Sequence, residues 1–185
     1  SSAASDVYKR QVIVTAAPHQ SGKDEYLMIL MILALDIEVC YLSAKWTMRR
    51  IPIPFIKPKD IDNQGVPWPL GWLQEIVFRK FGAIPVDRKG NSGQYDSVVQ
   101  ELLKRDNFLL IITPEGRFDA TRFRSSFLYL AKELEAEVMP VQIDYEHDTL
   151  QFLNSLNLDG SEEEVIQRLR SCFDGVKGRK SRFKA

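Results

Sequence analysis

Residues Val12–Glu25 read VIVTAAPHQSGKDE. Val12–Ala17 is short, apolar and rich in β-branched side chains, which suits a buried strand. Pro18 stops it. Ser21-Gly22-Lys23-Asp24 has the S-x-x-D form of a capping box, so a helix begins near Gly22 and runs through Tyr26 to Leu35. A strand, a polar turn and a helix in immediate succession set the pattern for the rest of the chain.

The pattern recurs downstream. Ile37–Ser43 reads as a second strand, and Trp72–Phe81 as an amphipathic helix opened by Pro69-Leu70-Gly71. Ala83–Val86 is a brief strand and Gly90–Gly93 a turn. Asp96–Arg105 is a helix with Val98, Val99, Leu102 and Leu103 as its apolar stripe. Phe108–Thr113 (FLLIIT) is a continuous apolar run, the best candidate for a central parallel strand. Ser125–Glu137 reads as a helix and Val138–Ile143 as a strand, while Gln151–Leu158 suits either. Ser161 opens a last helix to about Cys172, with Glu162, Glu163 and Glu164 at its positive end. Strands alternating with helices give an α/β fold, a mostly parallel sheet flanked by helices.

Between Lys45 and Gly71 the chain is irregular and holds five of the nine prolines, with Arg49, Arg50, Lys57 and Lys59. A proline-dense, aromatic and basic stretch of this length reads as a functional loop or lid.

At 185 residues the chain is long enough to bury a full core in one domain. Lys plus Arg and Asp plus Glu are 25 each, so no global charge argues for nucleic acid. Val176–Lys184 nevertheless carries five basic side chains and no acid. It reads as a solvated tail or as a contact for anionic head groups. Cys40 and Cys172 are the only cysteines and match no metal spacing, in keeping with a reducing compartment. The longest apolar run, Leu27–Leu35, is nine residues, short of the roughly 20 that cross a bilayer. Residues 1–11 (SSAASDVYKRQ) look foreign. Asp6–Gln11 is what GAT GTG TAT AAG AGA CAG encodes, which resembles a transposon end used in sequencing adapters. The expected layout is therefore a cloning or sequencing scar over 1–11, a domain over 12–175 and a basic tail over 176–185, with any N-terminal membrane anchor missing.

A strand followed by a turn ending in Gly-Lys invites comparison with a nucleotide-binding loop. That loop needs G-x-x-x-x-G-K-[ST]. Here Ala17 stands at the first glycine and Asp24 at the hydroxyl position, where an acid repels phosphate.

His19 offers different chemistry. It follows a strand end, where open α/β sheets expose their ligand crevice. Asp24, five residues on, cannot share a helix face with it. With His19 in the turn and Asp24 in the first helical turn, the chain can fold back so that the two meet. The carboxylate then holds one ring nitrogen and frees the other to take a proton from an alcohol. Equally, Asp24 reads as a helix cap and His19 as a polar turn residue.

The order of later segments bears on this choice. Ala17-Pro18-His19 through Asp24 fits H-x-x-x-x-D preceded by Ala-Pro. Gly82-Ala83-Ile84-Pro85-Val86-Asp87-Arg88 fits G-I-P-V-D-R. Pro114-Glu115-Gly116-Arg117 fits P-E-G-T-R without its threonine, and Val138-Met139-Pro140-Val141 fits a short apolar segment with a central proline. With these four motifs in order, over about residues 12–145, the chain resembles the glycerolipid acyltransferases of the lysophosphatidic acid acyltransferase type. The resemblance implies a glycerol-3-phosphate acyltransferase-like fold. It implies His19 and Asp24 as catalytic pair, Arg88, Glu115, Gly116 and Arg117 as glycerol-phosphate binders, and Pro140 on the acyl side. If the missing threonine marks an insertion instead, Arg122 replaces Arg117; spacing back from the helix at Ser125 favours Arg117.

What the resemblance implies is acyl transfer from acyl-CoA or acyl carrier protein to a hydroxyl of a glycerol-phosphate lipid such as 1-acyl-glycerol-3-phosphate, in phospholipid biosynthesis. It implies no metal and no bound cofactor, and a peripheral place on the cytoplasmic face of a membrane. The apolar helix after Asp24, the Trp46–Trp72 loop and the basic tail would meet the lipid. Two other readings stay open: a catalytically silent lipid- or partner-binding domain of the same fold, and a hydrolase that turns the His-Asp pair on water.

Overall fold

A computed structural model describes residues 11–18, 39–45, 48–51, 66–86, 93–105, 107–115 and 122–178. The expected helix from Gly22 and the Gly90–Gly93 turn, save Gly93 itself, lie outside them. The chain divides into two compact units, residues 1–38 with 107–185, and residues 39–106.

The first unit is built on strand β1 (Gln11–Ala17). It pairs in parallel with β6 (Phe108–Ile112) on one side and with β7 (Glu137–Asp144) on the other. Strand β8 (Thr149–Phe152) adds antiparallel to β7. All five residues of β6 are buried, as expected of a parallel strand covered on both faces. Helix α3 (Ser126–Glu133) buries Phe127, Leu128, Leu130 and Ala131 and packs on β1 and β7. Helix α4 (Glu162–Ser171) buries Val165 and Leu169. Just beyond it, Phe173 meets Phe123 edge-to-face, with ring centroids 5.8 Å apart.

The second unit pairs β2 (Val39–Ala44) in parallel with β5 (Ala83–Val86). Two short antiparallel strands, β3 (Arg50–Ile51) and β4 (Val66–Pro67), lie within the stretch expected to be irregular. Helices α1 (Gly71–Lys80) and α2 (Gly93–Leu103) both contact β5. Val98, Val99 and Leu102 of α2 are buried, but Leu103 is exposed. Five residues after Val98 the helix has turned roughly 140° away from it, which takes Leu103 off the stripe.

The architecture is α/β with mostly parallel strands and helical cover. One local expectation is corrected, and one stretch left open in the sequence takes a definite form. Helix α3 ends at Glu133 rather than Glu137, because Glu135 takes a left-handed φ of 50° and the Ala136 amide returns to the Ala131 carbonyl at 2.9 Å. That is a Schellman stop without glycine. The 149–152 stretch is a strand, and its hairpin turn is tied by Asp144, whose carboxylate accepts from the Glu146 amide and meets the His147 ring, both at 2.8 Å.

Candidate active site

The parallel register sets the site's foundation. Thr15 of β1 stands opposite Ile112 of β6, and β1 and β6 therefore reach their carboxyl ends together. Three residues on from that pair, β1 has become Pro18 and β6 has become Glu115. His19 follows the first and Gly116-Arg117 the second in sequence. The carboxyl edge of parallel strands is where open α/β sheets hold ligands.

Burial singles out the same edge. Among the described residues, the buried polar or charged side chains are Thr15, fully buried, and Glu115, 5 % exposed. Thr15 Oγ1 has no hydrogen-bond partner among the described residues. Charged and polar groups are kept buried chiefly where they are paired or used.

Of the residues singled out by sequence, His19, Asp24, Arg88, Gly116 and Arg117 lie outside the described residues. Glu115 ends the turn after β6. The loop that follows closes where the Arg124 amide donates to the Pro114 carbonyl at 2.8 Å, and Arg122 is exposed two residues before that closure. Val86 ends β5, and its carbonyl accepts from the Lys45 amide at 2.8 Å. Asp87 and Arg88 follow Val86 in sequence.

Pro140 is buried inside β7, opposite Thr15. Its carbonyl accepts from the Leu153 amide at 2.9 Å. A strand residue turns its nitrogen and carbonyl to the same side. The missing N–H therefore faces away from β1, and the β1–β7 ladder loses no bond to the proline.

Gly82, the first residue of the second motif, has a backbone duty. It caps α1 with φ 83°, and its carbonyl accepts from the Tyr41 amide of β2 at 3.1 Å. Among the described residues there is no cluster of three or more His, Cys, Asp or Glu able to hold a metal ion, and no helix long and apolar enough to cross a membrane.

Electrostatic ties elsewhere are structural. The Glu75 carboxyl is held below its ordinary range by hydrogen bonds from Arg49 and then Arg79. Asp144 is lowered chiefly by His147, and burial pushes the Cys172 thiol up.

Residues 69–144 match the family model described as Acyltransferase. Over that segment the chain is similar to the acyltransferase family. The matched segment contains the second, third and fourth motifs and begins after His19 and Asp24. No curated protein matches the chain. Among solved structures it is similar to a de novo designed protein of the P-loop NTPase fold, determined in solution by NMR. The identity is 14 % over 88 % of this chain and 90 % of that one, with a TM-score of 0.39, too loose a likeness to carry an argument.

Sequence reading missed Thr15, which looked like one more β-branched strand residue. It also missed which face of α1 turns outward.

Proposed function

We propose that this acyltransferase moves a fatty acyl group from a thioester, acyl-CoA or acyl carrier protein, to a hydroxyl of a glycerol-phosphate lipid such as 1-acyl-glycerol-3-phosphate. His19 takes the hydroxyl proton as the oxygen attacks the thioester carbonyl carbon. Asp24 holds the other ring nitrogen and stabilises the imidazolium. The carbon–sulfur bond then breaks, and the imidazolium returns its proton to the leaving thiolate. Arg88, Glu115, Gly116 and Arg117 bind the glycerol phosphate, the guanidinium forks matching its oxygens. General-base catalysis supplies ~10²–10⁴-fold in rate, and positioning of the hydroxyl supplies a further share.

The observation that carries this reading is the shared carboxyl edge of β1 and β6, where Thr15 and Glu115 are buried and from which the chain continues into His19 and Arg117. The four-motif order supports the acceptor class. The protein would work peripherally, on the cytoplasmic face of a membrane, because its acceptor is a lipid.

The test is a panel of lysophospholipid and glycerol-phosphate acceptors with one labelled acyl-CoA, read by mass spectrometry, for the native chain and for His19→Ala. Acylated lysophosphatidate from the native chain and none from His19→Ala, with unchanged circular dichroism, is the expected result. Equal turnover by both proteins overturns the mechanism. Free fatty acid without acylated acceptor would mean that the pair acts on water.

A further inference from the structure

Helix α1 is built inside out. At about 100° per residue, Gly71, Gln74, Glu75 and Phe78 share one side, and Trp72, Leu73, Ile76 and Val77 share the other. The mixed side faces the protein. Gly71 is buried so tightly that a Cβ there would stand 2.7 Å from the Arg49 carbonyl oxygen. Gln74 accepts from the Trp68 indole at 2.9 Å and donates to the Arg50 carbonyl at 3.3 Å, and Glu75 is bound by Arg49 and Arg79. The apolar side faces out. Trp72 is 57 % exposed, Leu73 43 %, Ile76 53 % and Val77 42 %. Leu70 before the helix, Phe81 after it, and Ile51 and Val66 on β3 and β4 are exposed too. A surface helix of a water-soluble unit has the opposite arrangement. An apolar patch of this kind marks a docking surface.

We infer that the outward face of α1 enters the head-group and acyl-chain boundary of an anionic bilayer. Charge selects this occupant. Lys80 falls in the middle of the apolar arc and has no ion-pair partner among the described residues, and Arg79 falls at its edge. The single acid of the helix, Glu75, is turned to the protein and taken by Arg49 and Arg79. A lysine amid apolar side chains suits a lipid interface, where its stem lies along the acyl chains and its ammonium reaches the phosphates. Two copies docked through this face by a two-fold axis would instead bury both Lys80 ammoniums on a face that offers no acid to pair them. Trp72 and Phe81 add the aromatic bulk that favours the interface. The inference rests on the proposed function only for its lipid acceptor, and the face itself is independent of the chemistry.

The test is co-sedimentation of the full chain with phosphatidylcholine vesicles, with and without about a third phosphatidylglycerol. Insertion is read by quenching with brominated acyl chains and assigned by Trp72→Phe. Binding to the anionic vesicles, weakened by salt, is expected. Lys80→Glu should weaken it by about fivefold or more. Ile76→Ser with Val77→Ser should abolish it without moving the thermal midpoint, since both side chains are already exposed. The same double variant should keep transfer to a short-chain, water-soluble lysophosphatidate and lose transfer to vesicle-borne acceptor. Native-like vesicle binding by the double variant, or a dimer of the native chain that the double variant breaks while no vesicle binding occurs, overturns the inference. His19→Ala should bind vesicles normally, so failure of catalysis and failure of docking are separable.

Discussion

Gly82 lies against the backbone of Val39 so closely that a Cβ on it would stand 1.9 Å from the Val39 carbonyl oxygen. Its φ of 83° is in the left-handed region that side chains resist. The glycine thus ends α1, turns the chain and sets β5 beside β2 in one step. Gly82→Ala should cost at least about 2–3 kcal/mol, from the backbone conformation and the clash together. Urea unfolding followed by circular dichroism checks this. A loss below about 1 kcal/mol would mean that the turn relaxes without the glycine.

The same residue shows how the sequence informs and where it stops. Gly82 was legible as the head of a motif, but its reason, the Val39 carbonyl, comes from a strand some 40 positions earlier in the chain. Strands β1, β5, β6 and β7 were readable because buried parallel strands are continuous apolar runs. The end of α3 was not, because Glu135 takes the left-handed stop that a glycine normally announces. The β7–β8 hairpin was hidden for a similar reason, its turn resting on Asp144 side-chain bonds within a charged stretch. At the site, the apolar approach to His19 and the Pro-Glu turn before Arg117 were legible, whereas the orphan hydroxyl of Thr15 is visible only once its neighbours are placed. In α1 the 3.6-residue period was clear, but period alone does not say which side meets the protein.

The cap of α4 should carry a pH signature. Ser161 Oγ accepts from the Glu164 amide at 3.3 Å, and the Glu164 carboxylate accepts from the Ser161 amide at 2.8 Å. The Ser161 amide and hydroxyl hold the Glu164 carboxyl below its ordinary 4.5. A carboxyl lowered by folding adds stability above its unfolded value, and that stability is lost as pH falls through the folded value. Native protein should therefore exceed Glu164→Gln in thermal midpoint at pH 7, and the gap should close as pH drops below 4.5. Ser161→Ala, which removes the hydroxyl acceptor, should cost about 1 kcal/mol. A gap that stays constant with pH would show that the carboxylate does not sense the cap.

Thr15 gives a prediction of the opposite sign. Its hydroxyl is fully buried and has no partner among the described residues. Burying such a group costs about 1–3 kcal/mol in proteins. Valine has the same shape without the hydroxyl, so Thr15→Val should stabilise the fold by about 1 kcal/mol, or roughly 2–4 °C in midpoint at this size. Calorimetry checks it. Destabilisation would reveal a bond that the hydroxyl makes. A gain would place Thr15 among the residues whose polarity is kept at the expense of stability, as functional edges often are.

The third motif leaves two arginines to separate. Arg117 follows Glu115 by two residues in sequence. Arg122 is exposed and stands two residues before Arg124, whose amide closes the loop on Pro114. A charge-assisted bond to phosphate is worth about 1.5–3 kcal/mol. If Arg117 is the phosphate ligand, Arg117→Ala should raise KM for a glycerol-phosphate acceptor by about 10–100-fold. Arg122→Ala should change it by no more than about twofold, because a solvated side chain is lost. Arg117→Lys should restore only part of the loss, since an ammonium keeps the charge but not the two-pronged geometry. An acceptor without phosphate should be insensitive to all three substitutions, which distinguishes phosphate recognition from a collapsed loop. A large effect at Arg122 with none at Arg117 would make the motif an insertion and move the phosphate site to the far arm of the loop.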